Sequence, residues 1–504
     1  MAAPEEVTFM EEFSAKESAV AGENAASLHR SGNSPAVVSD ECEMLSIVIH
    51  REASSCPPDT TDQWLQSMMK DGSTSNKKQK PRIQKVPRML RKIESNENCY
   101  EPQVVSIGPY HHGKLELEAV EKLKVPMARD YIQSCNTSKL SVREMYDKVA
   151  AVAVEARQCY AKDATEGLDD EAFAQMMFLD GCFILQFIYC YEENKHAEMK
   201  MRSLDIAFVR RDLFLLENQL PFLVLKELVS LRFEQKEGIN KINSFIEHTR
   251  ALPPPGKPGW RQRIENCIDD CNFLKKPLEN SKNQPVDEEG PAHLLDLLRA
   301  QLINLPDKKI ATKSISRSSL WHSYRSVKEL KTAGIKFRPS NTQCYTDIRF
   351  EQGCVEGFVK LPPVTVDDST KSTLLNLVAY EACPDAPDDL GVTSYICFMD
   401  SLIDHAEDVK ELRSKGILLN FLGSDQQVAD LFNEIANDLV DNPELHKEVK
   451  TQIEEHHKNK MRVWIKEGLH THFSSPWTVL AFLGAIVAIV LTSVQTYYAV
   501  FPQK

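Results

Sequence analysis

The amino-acid sequence predicts a mainly α-helical body with a small β hairpin or meander, a disordered N-terminal tail and a single C-terminal transmembrane helix. Three observations predict it. Apolar residues recur at helical spacing through much of the chain, β-branched and aromatic runs gather in one short window, and the 25 residues from Trp477 to Phe501 hold no charge. With 504 residues the chain can form one large domain or two to three ordinary ones.

The first 76 residues hold 13 acidic and 4 basic side chains and few aromatics, so most of the formal net charge of −13 lies there. Such a segment buries too little apolar surface to offset its ordering entropy, which predicts a disordered acidic tail over residues 1–80. It ends in a basic stretch. Residues 77–92, KKQKPRIQKVPRMLRK, hold eight basic residues and no acid, a composition that suits a nuclear signal, an anionic surface or a phosphopeptide. The leading MAAPEEVTFMEEF has acids where a signal peptide needs a basic region. The 13 cysteines are scattered and odd in number, as reduced thiols are. Both features place the bulk of the chain in a reducing compartment.

Residues 81–445 read as a helical domain. FAQMMFLDGCFILQFIYCY is apolar nearly all round, which predicts a buried core helix, too short and too interrupted by Asp180 and Gly181 to be a second span. LLENQLPFLVLKELV (Leu215–Val229) sets an acid and two amides beside a proline, between apolar runs. A helix through Pro221 would kink and lose a hydrogen bond, and the amides of Asn218 and Gln219 can serve the freed backbone groups. A structural joint is the expectation, and a binding site on Glu217 and Asn218 the alternative. LPPPGKPGW (Leu252–Trp260) and the polar Lys275–Pro291 break the pattern, which predicts an insertion over about residues 252–292 within one discontinuous body.

Strand signal is confined to about Ile335–Val366, in IKFRPS, YTDIRF and CVEGFVKLPPVTV. SYICFMDSLIDHAEDVKELRSKG then places Ile396, Met399, Leu402, Ile403, Ala406 and Val409 at helical spacing, with Gly416 as the stop. QQVADLFNEIANDLV repeats the pattern at Val428, Leu431, Phe432, Ile435 and Leu439, with Asp425 as N-cap.

Residues 446–476 are expected to form a juxtamembrane helix or linker, and residues 477–501 the span. At about 1.5 Å per residue, a helix of that length crosses a hydrocarbon core of roughly 30 Å. Trp477, Tyr497 and Tyr498 would stand at its interfaces. Lys458, Lys460, Arg462 and Lys466 precede it and only Lys504 follows, so the basic excess predicts a cytoplasmic body and a tail-anchored protein of the plasma membrane or an endomembrane. Ala481, Gly484, Ala485, Ala488 and Thr492 form a small-residue stripe through which two such helices could self-associate.

Six stretches carry a resemblance. They are VPRMLRKIESNENCYEPQVVSIGPYHHG (Val86–Gly113), MMFLDGCFILQ, LLENQLPFLVL, SVKELKTAGIKF, VKLPPVTVDDSTKSTLLNLVAYEAC and YICFMDSLIDHAEDV. In that order, from about residue 83 to the anchor, the chain resembles the plant domain-of-unknown-function 247 family. Gln186 and Ala382 depart from it, standing where many relatives have an acid and an amide. The resemblance implies a plant membrane protein with a C-terminal transmembrane helix and no assigned biochemical activity. It also implies kinship with grass members associated with self-incompatibility between pollen and stigma.

Chemistry is sparse. IGPYHHG pairs His111 and His112 between Gly108-Pro109 and Gly113, as general bases or as metal ligands with a thiolate such as Cys182, although adjacent histidines usually point apart. Cys267 and Cys271 could share a helix face, but no His or Cys pair completes a metal set. No Gly-rich phosphate loop, HExxH or GxSxG is present. The sequence therefore names no catalytic residue, cofactor or metal ligand, and no nucleic-acid partner is expected. Two readings remain: a membrane-anchored interaction or recognition module with unknown protein partners, which is not an enzyme, or an enzyme of unrecognised type with polar residues near His111 and Glu217. Asn136-Thr137-Ser138 is the one N-glycosylation sequon.

Overall fold

In the computed structural model, residues 83–135, 140–250, 290–303, 325–353, 356–384, 386–458 and 476–500 are described. The acidic tail, the sequon at Asn136, Cys267, Cys271 and most of the expected insertion lie outside them. The basic stretch is described only from residue 83, where it is folded structure. It passes through a single helical turn at Arg88–Arg91 and a 3₁₀ segment at Glu94–Cys99, with Ile83, Val86 and Leu90 buried.

The N-terminal half forms around one apolar helix. α1 (Glu118–Ser134) and α2 (Val142–Gln158) both pack on α3 (Asp170–Glu192). Ser141 and Glu144 start α2 by a capping box: the Ser141 hydroxyl accepts from Glu144 N at 3.3 Å and the Glu144 carboxylate accepts from Ser141 N at 2.6 Å. α3 begins on Asp169, whose carboxylate accepts from Ala172 N at 2.7 Å. Its 23 residues are more than the sequence suggested, and Asp180 and Gly181 do not interrupt it. By length and composition it could cross a membrane, but Met177, Phe183 and Phe187 are fully buried in the body and it is a core helix. α4 (Ser203–Asp212), α5 (Phe222–Arg232), α6 (Gln235–Arg250) and α7 (Leu294–Leu302) complete this half. A Cβ at Gly181 would overlap the Leu228 side chain, so the glycine is what lets α5 lie close on α3.

In the second half α8 (Val327–Thr332) leads into β1 (Ile335–Pro339), β2 (Arg349–Gln352) and β3 (Gly357–Leu361). β2 and β3 make the expected antiparallel hairpin, with Phe350 opposite Val359. The meander does not follow, because β1 pairs in parallel with β3 on its other side, Phe337 opposite Val359. β4 (Val364–Val366) pairs in parallel with β5 (Leu418–Asn420), a strand outside the expected window. Three residues are too few to show alternation, so only the pairing identifies β5.

The helices after β4 are α9 (Thr370–Glu381), α10 (Gly391–Leu402), α11 (Ala406–Ser414), α12 (Asp425–Ala436), α13 (Lys447–Lys458) and α14 (Pro476–Val500). Three expectations are corrected here. The periodic run through Ile396 and Val409 is two helices, broken at Ile403–His405, where the Asp408 carboxylate accepts from the backbone N–H of Asp404 and His405, each at 3.2 Å. Ser424 rather than Asp425 caps α12: its hydroxyl accepts from Gln427 N at 3.2 Å, and the Gln427 amide oxygen accepts from Ser424 N at 3.0 Å. α12 also ends before Leu439. Gly416, at φ +71°, stops α11 as expected. In α14 the apolar stretch with described side chains runs over 17 residues, Leu480–Thr496, and these side chains are exposed.

Buried apolar residues from Ile83 to Ile453 form one continuous core, so the halves on either side of residues 251–289 share it. Polar bonds cross the same seam. Asn376 Oδ1 accepts from Leu216 N at 2.8 Å, and the Ser372 hydroxyl donates to Cys99 O at 2.6 Å.

Candidate functional site

The polar interruption in LLENQLPFL separates two helices. α4 ends at Asp212, the chain runs without helix to Leu220, and Pro221 takes the N-cap position of α5 with φ −56° and ψ 130°. No helix passes through Pro221, so no kink forms, and its missing N–H costs nothing at that position. Asn218 and Gln219 then satisfy buried backbone. Asn218 Oδ1 accepts from Ile107 N at 2.7 Å, while its Nδ2 donates to Val105 O at 3.1 Å and Asp212 O at 2.9 Å. Gln219 Nε2 donates to Leu213 O and Leu215 O at 2.8 and 2.7 Å, and its Oε1 accepts from Leu295 N at 3.0 Å.

The histidine loop docks on this joint. Asp212 accepts from Gln103 N and Val104 N at 2.9 and 2.8 Å, and Asp180 accepts from Gly108 N at 2.9 Å. Gly108 has φ +70°, and a Cβ there would lie 2.9 Å from the Tyr160 hydroxyl and 3.0 Å from Gln219 O. The same Asp180 pairs with Lys124 Nζ at 2.7 Å, both side chains being buried.

This packing brings His111 and Glu217, 106 positions apart, into one charged cluster. Glu217 accepts from Val86 N and from Arg91, both at 2.7 Å. Arg91 also donates to Glu101 at 2.6 Å, and Lys114 donates to Glu101 at 2.7 Å. His111 lies between the two carboxylates, its Nδ1 3.5 Å from Glu101 and its Nε2 3.9 Å from Glu217, and neither ring nitrogen has a hydrogen-bond partner. Burial, and then the Lys114 charge, push its pKa down to about 4 against the opposing pull of Glu101, so the ring is neutral near pH 7.

A neutral imidazole beside two carboxylates could accept a proton, but this one is only 3% exposed. The sequence-predicted residues thus meet, but in packed structure. His112, the other half of the pair, is exposed, and Cys182 lies fully buried in α3 with burial pushing its thiol well above the ordinary range. Among the described residues no three His, Cys, Asp or Glu side chains come together as a metal site. The sequence did not reveal the Lys124–Asp180 pair or the role of Asp212. A carboxylate inside an apolar run such as MMFLDGCF was the available signal, because a buried charge is kept only with a partner.

Residues 83–491 match the plant family described as "plant protein of unknown function", domain of unknown function 247. The chain belongs to this family. Two curated proteins of Arabidopsis thaliana are similar to it. UPF0481 protein At3g47200 is 27% identical over 419 residues, covering 81% of this chain and 84% of the relative. Putative UPF0481 protein At3g02645 is 24% identical over 484 residues, covering 82% and 89%. No solved structure matches. In this family member the blocks that carry the resemblance converge. Val104–Gly113, MMFLDGCF and LLENQLP are joined through Asp180, Asp212 and Asn218, and the AYEAC block supplies Glu381, which pairs with Arg299 of α7 at 2.9 Å.

Proposed function

We propose that this member of the family is a membrane-anchored protein whose helical body is an interaction or recognition module and not an enzyme. One observation carries the reading: α14 is an uncharged helix whose apolar side chains, among them Leu480, Leu483, Val487 and Leu491, stand exposed. Each such side chain gains roughly 1.5–3 kcal/mol on leaving water, a gain that a bilayer offers all of them together. The polar groups along the helix suit that solvent. Thr492, Ser493 and Thr496 each donate their hydroxyl to the carbonyl four residues earlier, at 2.6 to 2.8 Å. Ala481, Gly484, Ala485 and Ala488 offer a face for self-association within the bilayer. The basic residues before the helix favour the cytoplasmic side for the body, and the enclosure of His111 and Glu217 favours binding over catalysis.

The test is extraction of membranes with alkaline carbonate from plant cells expressing the full chain or a form lacking residues 477–504. Retention of the full chain and release of the shortened one is the expected result. A shortened chain that still resists carbonate overturns the anchor. Proximity labelling from a tag at Met1 in the same cells reports partners; labelling confined to low-molecular-weight metabolic enzymes around a soluble body would count against the recognition role.

A further inference from the structure

A cleft of about 100 Å³ opens where α4, α6, α7, the β4 strand and α9 meet, with neither His111 nor Glu217 in its lining. Its floor is apolar: Phe214, Leu302 and Leu374 are nearly or fully buried. Its walls carry two guanidinium groups that make no ion pair among the described residues. Arg210 donates to the Tyr191 hydroxyl at 3.0 Å, and Arg250 to Gln301 Oε1 at 3.2 Å and Gln343 O at 3.4 Å; neither makes an ion pair with a carboxylate among the described residues. Arg91 by contrast pairs with Glu101 and Glu217, and the buried Arg299 with Glu381 and Asp389, while half-buried Arg232, which donates to Gln186 Oε1 at 3.1 Å, resembles the two cleft arginines. Burial lowers the Arg250 pKa against the opposing pull of Tyr345, Cys344 and Glu247, yet a guanidinium stays protonated, so Arg250 keeps its charge in the wall.

The one carboxylate on the rim, Asp367, is turned onto its own loop, accepting from Ser369 N at 3.0 Å and from the Ser369 and Thr370 hydroxyls at 2.8 and 3.0 Å. Arg211 is likewise spent, on Asp212 and the carbonyls of Glu101 and Asn98. By contrast the Thr365 hydroxyl, buried at the cleft, has no partner. Two guanidinium groups without an ion pair among the described residues, beside an apolar floor and backed by the buried, unpartnered Thr365 hydroxyl, are complementary to an anion carrying an apolar body.

We propose that this cleft is a binding site for a phosphate monoester with a small apolar body, its phosphate held by Arg210, Arg250 and the Thr365 hydroxyl and its body laid on Phe214 and Leu374. Guanidinium forks match phosphate oxygens in pairs, and the apolar floor excludes the water that would screen them. The site is independent of the membrane reading.

The test is isothermal titration of the full chain in detergent micelles with 1-naphthyl phosphate, and in separate arms with inorganic phosphate, 1-naphthol and a short-chain phosphoinositide. Saturable 1:1 binding of 1-naphthyl phosphate is expected, with inorganic phosphate and 1-naphthol each weaker. A soluble ester is the ligand source if 1-naphthyl phosphate outcompetes the phosphoinositide, and a lipid headgroup if the order reverses. Arg250→Gln and Arg210→Gln should each weaken binding roughly ten- to a hundredfold. Arg202→Gln, which removes an exposed arginine paired with Asp205 away from the cleft, should leave it unchanged. Arg210→Lys, which keeps charge and fold while losing the fork, distinguishes lost contact from lost structure and should bind with intermediate strength. Absence of saturable binding to the wild-type chain overturns the proposal, as does equal affinity in the Arg250→Gln and Arg202→Gln variants.

Discussion

At Glu217 one carboxylate serves a buried backbone N–H and a guanidinium together, whereas Pro221 four residues further on only begins a helix. Glu217→Ala leaves Val86 N buried without an acceptor, although Arg91 keeps Glu101, so the loss should be roughly 2–4 kcal/mol in urea unfolding. Pro221→Ala removes neither partner and should stay within about 1 kcal/mol of the wild type. A reversal of that order would mean that Glu217 is held for a ligand and not for the fold. Acid should expose the neighbouring histidine. Burial lowers the pKa of His111 to about 4, and that of His446, packed on Phe398, to about 4 as well. The unfolded chain takes up these protons near pH 6.5 and the native chain does not, so the stability is complete above pH 6.5 and is lost as the pH falls toward 4. Each histidine then costs about 2 kcal/mol between pH 7.5 and pH 5, and His111→Gln should flatten the fall in melting temperature over that range.

Among the elements, α10 depends on a residue from outside it. Its N-terminus follows Leu390, at φ +48°, and has no side-chain N-cap of its own. Glu381, at the end of α9, supplies the acceptor, taking Val392 N at 2.9 Å, Thr393 N at 2.8 Å and the Thr393 hydroxyl at 2.7 Å while pairing with Arg299. Glu381→Gln should therefore cost roughly 2–4 kcal/mol and speed amide exchange at Val392 and Thr393 ahead of the rest of α10, as read by hydrogen-exchange mass spectrometry. Exchange unchanged at those two amides would show that α10 is held by packing alone. α12 was legible in the sequence because its apolar spacing comes from the core it faces, and α3 because it is apolar nearly all round and buried on all sides. The break at Ile403–His405 was not, since Leu402, Ile403 and Ala406 continue the helical spacing across it and the capping Asp408 lies beyond. For the same reason the sequence suggested that His111 and Glu217 are distinctive without suggesting that they meet: pairing over 106 positions is fixed by how α4, α5 and the loop at Val104–Gly113 pack, which no local pattern encodes.

At the scale of the whole molecule, the proposal of an anchored body can be tested by its sidedness. Lys458, Lys460, Arg462 and Lys466 precede the apolar helix and a single Lys504 follows it, a bias that on this proposal favours a cytoplasmic N-terminal flank. Asn136-Thr137-Ser138, the chain's one sequon, lies outside the described residues, just past the end of α1 at Ser134. In a lumenal body it would meet the glycosyltransferase, and in a cytoplasmic one it would not. The native chain should therefore show no endoglycosidase-sensitive shift, and a sequon appended beyond Lys504 on a tail long enough to reach the transferase should be modified. The two positions check each other, because a protein that never reaches the endoplasmic reticulum modifies neither site and a protein of opposite topology modifies only the first. A shift in the native chain that disappears on Asn136→Gln would invert the topology. It would also place the cysteines in an oxidising compartment and turn the body, with its arginine-lined cleft, toward ligands outside the cytoplasm.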